Sequence, residues 1–508
     1  MAEDLPRSAA GNRSPWLIAV VVSIATFMEV LDTTIANVAL RHIAGSLAIS
    51  LDESTWILTS YLISNAIVLP VSGWLATMMG RKRFYMTCVA AFTAASVGCA
   101  MATSLTWMVI ARLFQGAGGG GLAPTEQAIF ADTFPVRLRP QAFALYGLTV
   151  VCAPAIGPVL GGWLTDNLSW HWVFLINLPM GLLSLTLVNW LVTEPPALLE
   201  DRRRLLRGGL RIDYIGFGLV ALGFGTLQVV LDRFDIDDGF GSGMITKLTL
   251  VAGISLVALV IRELLIEQPI VNLRLFGRSR GFSISCGMMF LVGFLLISTT
   301  QLLPQLTQTL LNYDAYQAGL TLGIGGVVTF FVMPLSGIVT GRLIQPKWLI
   351  LIAFVGTGWS LISTSSLDLD MSFWTVSWVR VSQVVWLPFL FIPMTAVSYI
   401  GVPPDRNNEA SALINLMRNL GGSVGVSFVN TLLDWRTQFH HARLAEAVTP
   451  YNGYGFGHSL TQIAQAVQNQ ASMMSYLDIF WLLGVIALCV WPLACFLPRM
   501  PKGAALAH

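Results

Sequence analysis

Two acids and an arginine stand where an apolar chain has no ordinary use for them. The stretch MEVLDTTIANVAL at 28–40 places Glu29 and Asp32 inside an apolar run from Trp16 to Leu40, and RLFQG at 112–116 places Arg112 inside another. A charge near the middle of a bilayer is costly, so such a residue is by default a functional one. If the first run points outward and the other inward, Asp32 lies eight residues below Leu40 and Arg112 eight below Ser104. At about 1.5 Å per residue both are then roughly 12 Å from the outer face and at the right depth to pair. Glu29 precedes Asp32 by three residues, on the same helix face and near the midplane of a core about 30 Å thick. Two carboxylates about a turn apart in a low dielectric cannot both be cheaply ionised, so a proton is expected to bind and leave there. The competing use is architectural: a static Asp32–Arg112 pair that fixes helix packing, with Glu29 turned to a polar cavity.

The elements that must hold these groups are membrane helices. Of 508 residues 55% are hydrophobic and 11% charged, against roughly a quarter charged in a soluble domain. The net charge of +2 gives no footprint for nucleic acid. Cys88, Cys99, Cys152, Cys286, Cys489 and Cys495 stand singly in apolar segments, without metal-ligand spacing, and read as packing residues. The first apolar run carries two acids and no convincing cleavage site, and reads as a retained helix. Apolar segments of about 20 residues sit near 16–40, 55–76, 84–104, 105–130, 141–163, 171–192, 212–231, 245–263, 281–303, 317–340, 347–366, 372–400, 411–432 and 476–497, which makes fourteen. Of the 29 Lys and Arg, 21 fall on one set of connections and 5 on the other, while Arg112, Arg380 and Arg418 lie within spans. This bias predicts that both termini are cytoplasmic.

A weak repeat divides the chain. LPVSGWLA at 69–76 resembles MPLSGIVT at 333–340, and RLFQG at 112–116 resembles RVSQV at 380–384, each eight helices on. Two six-helix units would give an offset of six, so two helices have been inserted. The expected organisation is a tail at 1–15, a six-helix half at 16–192, a cytoplasmic linker at 193–211, inserted helices 7 and 8 at 212–263, a second half at 281–497 and a tail at 498–508. Parallel halves with a midplane site are a transporter architecture. The long outward connection at 433–475 reads as a solvated loop, with amphipathic helices as the alternative; His440 and His441 lack a metal-spaced companion and read as surface residues.

No nucleotide or catalytic motif competes with the intramembrane charges. QGAGGGGL at 115–122 lacks the Gly-Lys-Ser/Thr ending of a phosphate loop, and its glycines read as helix-packing residues. No metal site is expected, and no cofactor beyond the proton-motive force. The repeat keeps an arginine, Arg380, but the matching helix 9 offers it only hydroxyls and Gln301. Glu29, Gln115, Arg380 and Gln383 are the candidate substrate-cavity residues, and Arg418, near an expected cytoplasmic helix end, is expected to snorkel. In AIGPVLGGW at 155–163, Gly157, Gly161 and Gly162 allow close helix approach, while Pro154 and Pro158 favour a kink. Such a helix suits an interface between moving halves, or ordinary close packing.

On these residues the chain resembles the major facilitator superfamily, and within it the fourteen-helix drug/proton antiporters of the EmrB/QacA type. LDTTIANVAL at 31–40 is similar to the helix-1 signature, ARLFQGAGGG at 111–120 to the helix-4 arginine motif and AIGPVLGGWLTD at 155–166 to the antiporter motif. NLSWHWVFLINLP at 167–179 and LLPQL at 302–306 bring the match nearest to EmrB-type inner-membrane pumps. In GWLATMMGRKR at 73–83, Gly73, Gly80, Arg81 and Lys82 match the cytoplasmic loop motif, but Thr77 stands in place of the usual aspartate. Arg41 replaces a common proline, and Ala144 and Ala153 replace two glycines of the antiporter motif.

The resemblance implies an all-α integral membrane protein of the bacterial inner membrane, with two six-helix halves plus two inserted helices. It implies proton-driven efflux of hydrophobic or amphipathic small molecules, with a periplasmic adaptor and an outer-membrane channel as partners. Asp32, Glu29 and Arg112 would then couple protons, and the chain would not be an enzyme. A dedicated exporter of one endogenous metabolite or lipid needs the same device and stays open; an integral-membrane transferase stays open more remotely.

Overall fold

A chain with so many apolar segments must satisfy its backbone internally, and helices do this segment by segment. The computed structural model describes residues 14–194, 213–340, 343–448 and 459–498. Nearly all of the expected 193–211 linker, and nearly all of both tails, lie outside the described residues. Among the described residues no strand forms; a single isolated bridge joins Thr340 and Ile344.

The first six helices are α1 (Pro15–Leu47), α2 (Trp56–Met79), α3 (Arg81–Ala100), α4 (Leu105–Gly119, resuming as Leu122–Thr133), α5 (Arg139–Asn167) and α6 (His171–Leu175, resuming as Asn177–Leu191). Two more follow, α7 (Tyr214–Arg233) and α8 (Gly243–Leu265). The last six are α9 (Arg280–Leu310), α10 (Ala315–Val339), α11 (Pro346–Thr364), α12 (Phe373–Val384, resuming as Leu387–Ser398), α13 (Asn407–Ala447) and α14 (Leu460–Val490). Side-chain caps start several of them: Ser104 accepts from the Trp107 amide, Asp314 and Gln317 form a capping box, and Ser459 and Gln462 form another.

Ten segments are long and apolar enough to cross a membrane, and α5 makes an eleventh if its bent pair is one crossing. Three helices fall short for visible reasons: α3 opens on Arg81, Lys82 and Arg83, α4 is split into pieces of 15 and 12 residues, and α13 carries Asn415, Arg418 and Asn419 within its apolar stretch. Length and apolarity thus mark ten or eleven candidate crossings among the described residues, within a fold of fourteen long helices. The bend in α5 is 42°, between Pro154 and Ile156. Its cause is local, because Pro158 has no amide hydrogen for the carbonyl four residues back at Pro154.

Small residues set the packing. In α4, a Cβ on Gly116 would stand 2.2 Å from the Tyr61 carbonyl of α2, and one on Gly118 would stand 2.7 Å from the Phe92 amide of α3. The same device joins α13 to α9, where a Cβ on Gly421 would stand 1.9 Å from the Phe290 carbonyl. The first and last six helices meet chiefly along α5 with α10 and α2 with α13. Helices α7 and α8 pair with each other, and α7 lies on α2 and α13. Leu250, Ile254, Val257 and Ile261 form an exposed stripe on α8, which suits a face turned to lipid.

The 433–475 connection is mostly helix. Helix α13 continues without a break to Ala447 and α14 begins at Leu460, leaving the 449–458 tip outside the described residues. The loop expectation fails because the polar residues here lie on helices that extend past the apolar stretch. His440 also departs from its expected surface position: it is 8% exposed, and its Nε2 lies 2.7 Å from Asp478 Oδ2, which also accepts from Arg436 Nε at 2.7 Å.

Candidate functional site

Helix α1 carries Asp32 into the centre of the first six helices, where it is 0% exposed. Arg112 reaches it from α4, Nη1 donating to Asp32 Oδ2 at 2.7 Å. The other carboxylate oxygen, Oδ1, accepts from Gln115 Nε2 at 2.8 Å and from Asn177 Nδ2 at 2.6 Å. Arg112 is held in turn: Nη1 also donates to Gln115 Oε1 at 2.7 Å, and Nε donates to the Ile57 carbonyl at 3.0 Å. Ser96 on α3 accepts from both amides, Gln115 and Asn177. A buried ion pair persists only when its remaining hydrogen-bonding capacity is filled, and here four helices fill most of it. Among the described residues, Arg112 Nη2 and Asn177 Oδ1 are left without a hydrogen-bond partner.

Glu29 sits one turn deeper along α1 and is only partly buried. Its Oε1 accepts from Tyr61 Oη at 3.2 Å and from Asn65 Nδ2 at 3.2 Å, both on α2. The interruption of α4 makes the room, since a Cβ on Gly119 would stand 2.5 Å from Tyr61 Oη and 3.3 Å from Glu29 Oε1. Tyr61 joins the two acids: its hydroxyl donates to Glu29, and the Arg112 guanidinium lies 4.6 Å over its ring. A change in the charge of either carboxyl therefore acts on a side chain that touches the other's surroundings.

Arg418 faces this region from α13. It does not snorkel to an interface, because α13 starts at Asn407 and the arginine is more than two turns inside it. Its Nη1 donates to Tyr146 Oη of α5 at 2.6 Å, its guanidinium lies 5.7 Å from the Tyr146 ring centre, and its charge acts on Glu29. Arg380 has the position in α12 that Arg112 has in α4, with Thr300 Oγ1 accepting from its Nη2 at 3.0 Å and with Nε and Nη1 unpartnered among the described residues. Gln383 donates to Thr364 at 3.2 Å. Of the four residues expected to line a cavity, Gln115, Arg380 and Gln383 are 0%, 5% and 2% exposed, sealed between helices in this conformation. Only Glu29 keeps an open side. Each of the other three is turned to a neighbour in its own bundle, because a helix midway through a bundle presents its polar groups inward.

The expected loop-motif residues gather at one end of the molecule. Gly80 has φ +89°, a left-handed conformation that favours glycine. Arg81 pairs with Asp132 of α4, Asp132 accepts from Asn407 of α13 at 2.7 Å, and Lys82 donates to the Asn189 carbonyl at 2.6 Å. Gly73 packs on the first turn of α13, where a Cβ would stand 2.9 Å from the Asn408 carbonyl. Thr77 accepts from Asn408 Nδ2 at 3.2 Å, so a neutral bond stands at the position where the family pattern has an acid. Deeper in, Ser411 bonds the Pro124 carbonyl, and Asn415 donates to Gln127 at 3.0 Å while accepting from Tyr146 at 3.2 Å. The two bundles are thus tied together at this end.

In α5, Gly157 and Gly161 face α1: a Cβ would stand 2.2 Å from Thr34 Oγ1 on Gly157 and 3.0 Å from Ile35 Cγ2 on Gly161. Gly162 faces open space. Pro158 is the member that faces the other bundle, 2.9 Å from where a Cβ on Gly319 of α10 would be.

The functional residues that sequence reasoning passed over are Asn177, Tyr61, Asn65, Tyr146, Asn415 and Glu126. Of these only Glu126 carried a signal, as an acid in the apolar run LAPTEQAIF at 122–130. Among the described residues no group of His, Cys, Asp and Glu could hold a metal ion.

Comparison with known proteins follows the same geometry. The family model described as Major Facilitator Superfamily matches residues 22–426. The chain is 35% identical over 502 residues to the multidrug export protein EmrB of Escherichia coli K12, covering 96% of each chain. It is 35% identical over 431 residues to the fatty acid resistance protein FarB of Neisseria gonorrhoeae, covering 85% of this chain and 83% of the relative. Among solved structures it is similar to the proton:xylose symporter XylE, with a TM-score of 0.60 and 17% identity over 96% of this chain and 97% of that one.

Proposed function

Because the chain belongs to the major facilitator superfamily, a family of multi-pass membrane transporters and not of enzymes, we propose that it exports hydrophobic or amphipathic small molecules in exchange for protons. The names of its 35%-identical relatives, a multidrug export protein and a fatty acid resistance protein, support the direction and the kind of cargo. The observation that carries the coupling is the linked pair of acids. Asp32 is locked to Arg112 in a buried site, and Glu29, one turn away, is only partly buried and shares Tyr61 with Arg112.

The cycle follows from these contacts. A proton arriving at Glu29 removes its charge and frees Tyr61 and Asn65. Passed to Asp32, it ends the ion pair and releases the guanidinium to other acceptors, which loosens α1 from α4. Rearrangement of α1 against α5, where Thr34 and Ile35 lie in the Gly157 and Gly161 notches, carries that change to the interface that α5 makes with α10. Cargo displaces the proton at the reset. The proton-motive force is sufficient in size, since one charge crossing 100 mV is worth about 2.3 kcal/mol.

Both termini are read as cytoplasmic, which puts the Arg81–Asp132 end inside and the extensions of α13 and α14 outside. Those extensions are the surface for a periplasmic adaptor that would pass cargo to an outer-membrane channel. The test is proton release when substrate is added to the detergent-solubilised protein. Release is expected from the parent and its loss from Asp32→Asn, while Glu29→Gln chiefly weakens the response to cationic compounds. Undiminished release from Asp32→Asn would refute the assignment of the coupling site.

A further inference from the structure

Glu126 is 0% exposed in the inner piece of α4, and no cation stands against it among the described residues. Its Oε1 accepts from Ser23 Oγ of α1 at 2.5 Å, the Thr26 hydroxyl one turn on in α1 faces the same carboxyl, and Oε2 is buried with no full hydrogen bond among the described residues. The ionisable groups that face it are the Tyr85 and Tyr146 hydroxyls of α3 and α5 and Glu29 on its own side of the cavity. The guanidinium of that network, Arg418, is spent on Tyr146 and on Glu29, and Arg81 on Asp132 and the Ala128 carbonyl. A lone buried carboxylate is prohibitively costly, and such a group neutralises instead. Glu126 therefore holds a proton in this conformation.

Its place along the path is as telling as its isolation. Ser23 lies six residues inward of Glu29 on α1, and Glu126 lies seven residues inward of Gly119, the residue against the Glu29 carboxyl. The turn of α4 that carries Glu126 is also the turn that seals the bundles: Pro124 and Gln127, two residues before it and one after, are the α4 groups bonded to Ser411 and Asn415 of α13, while the carboxyl itself turns to Ser23 of α1. When the bundles part at that end, those bonds break and water reaches the carboxyl. We infer that Glu126 is a second proton-carrying residue of the transport cycle, loaded while this end is sealed and discharged to the inner side when α13 leaves α4. Each turnover then moves one proton through the Glu29–Asp32 site and one through Glu126.

This rests on the proton-exchange reading above, and the test separates the two. Proton-to-substrate stoichiometry is measured from reversal potentials in proteoliposomes, for the parent and for Glu126→Gln. The expected result is a ratio of two in the parent and one in the variant, with Glu126→Asp restoring two. An uncoupled parent would overturn the proton-exchange reading and this inference with it. A coupled parent with an unchanged ratio in Glu126→Gln would overturn this inference alone. Carbodiimide labelling of the unmodified protein needs no variant: a buried protonated carboxyl reacts, so label is expected on Glu126 and less of it after substrate addition in proteoliposomes. A Glu126 that stays unlabelled while Glu29 reacts would overturn the inference.

Discussion

At the scale of single residues, the Asp32–Arg112 pair is both a packing contact and the proposed coupling site, and substitution separates these roles. Arg112→Ala leaves Asp32 buried against two neutral amides, and breaking such a pair costs about 3–5 kcal/mol. Export is expected to fall to background, with a clear drop in melting temperature in detergent. Arg112→Lys should recover most of the stability but only part of the transport, because an ammonium cannot bond Asp32, Gln115 and the Ile57 carbonyl together as the planar guanidinium does. Full export by Arg112→Ala would reduce the residue to packing. This pair was legible before any coordinates, because depth along a helix can be counted at a fixed rise per residue. Asn177 was not, although it donates to Asp32 at 2.6 Å, since one neutral amide in an apolar helix carries no signal of its own. Arg418 was misplaced by the same counting that placed Arg112: its helix begins at Asn407, ahead of the apolar stretch from which depth was judged.

At the scale of elements, the α7–α8 pair is tied to both bundles at the end where α7 finishes. Thr59 of α2 bonds Asp232, and Arg233 donates to Thr55 at 3.1 Å. Beyond α7, Asp235 meets Asp434 of α13, and partial burial together with that neighbouring carboxyl pushes it up to about 6. The sign follows from linkage. The folded state holds this proton more tightly than the unfolded chain, whose carboxyl titrates near 3.8, so the contact is fully favourable in acid and its contribution is lost as pH rises through about 6. Asp235→Asn should therefore raise the melting temperature at pH 7 and leave it unchanged below about pH 4. An equal gain at both pH values would trace the effect to something other than the proton. The extensions of α13 and α14 pose the opposite problem for sequence reading. A polar run signals solvent exposure, but it does not distinguish a loop from a helix that has left the membrane. Shortening 440–470 is expected to abolish resistance in cells while leaving transport in proteoliposomes intact, the pattern of a lost partner contact. Loss of both would assign the segment to folding or to the cycle.

At the scale of the whole molecule, the two bundles are closed together at the Arg81–Asp132 end by bonds from α2, α4 and α5 to α13. A transporter working by alternating access has to break this seal once per turnover, and the bonds are of a kind that allows it. Asn408, Ser411 and Asn415 make neutral bonds across the boundary, Asn407 brings only an uncharged amide to the Asp132 carboxylate, and even the acid expected at position 77 is a threonine. The repeat that suggested two bundles was readable from two short matches at nearly one offset. What the repeat could not convey is its asymmetry: Asp32 answers Arg112 in one bundle, while a hydroxyl answers Arg380 in the other. Under the proposed function the charge device is concentrated in the first bundle and the second follows it mechanically. The most direct test of that account is substrate movement in proteoliposomes under an imposed pH gradient, compared between the parent and Asp32→Asn. The account predicts accumulation driven by opposite proton flow in the parent, abolished by collapsing the gradient and absent from the variant. Equal transport by both proteins, or transport indifferent to the gradient, would contradict it.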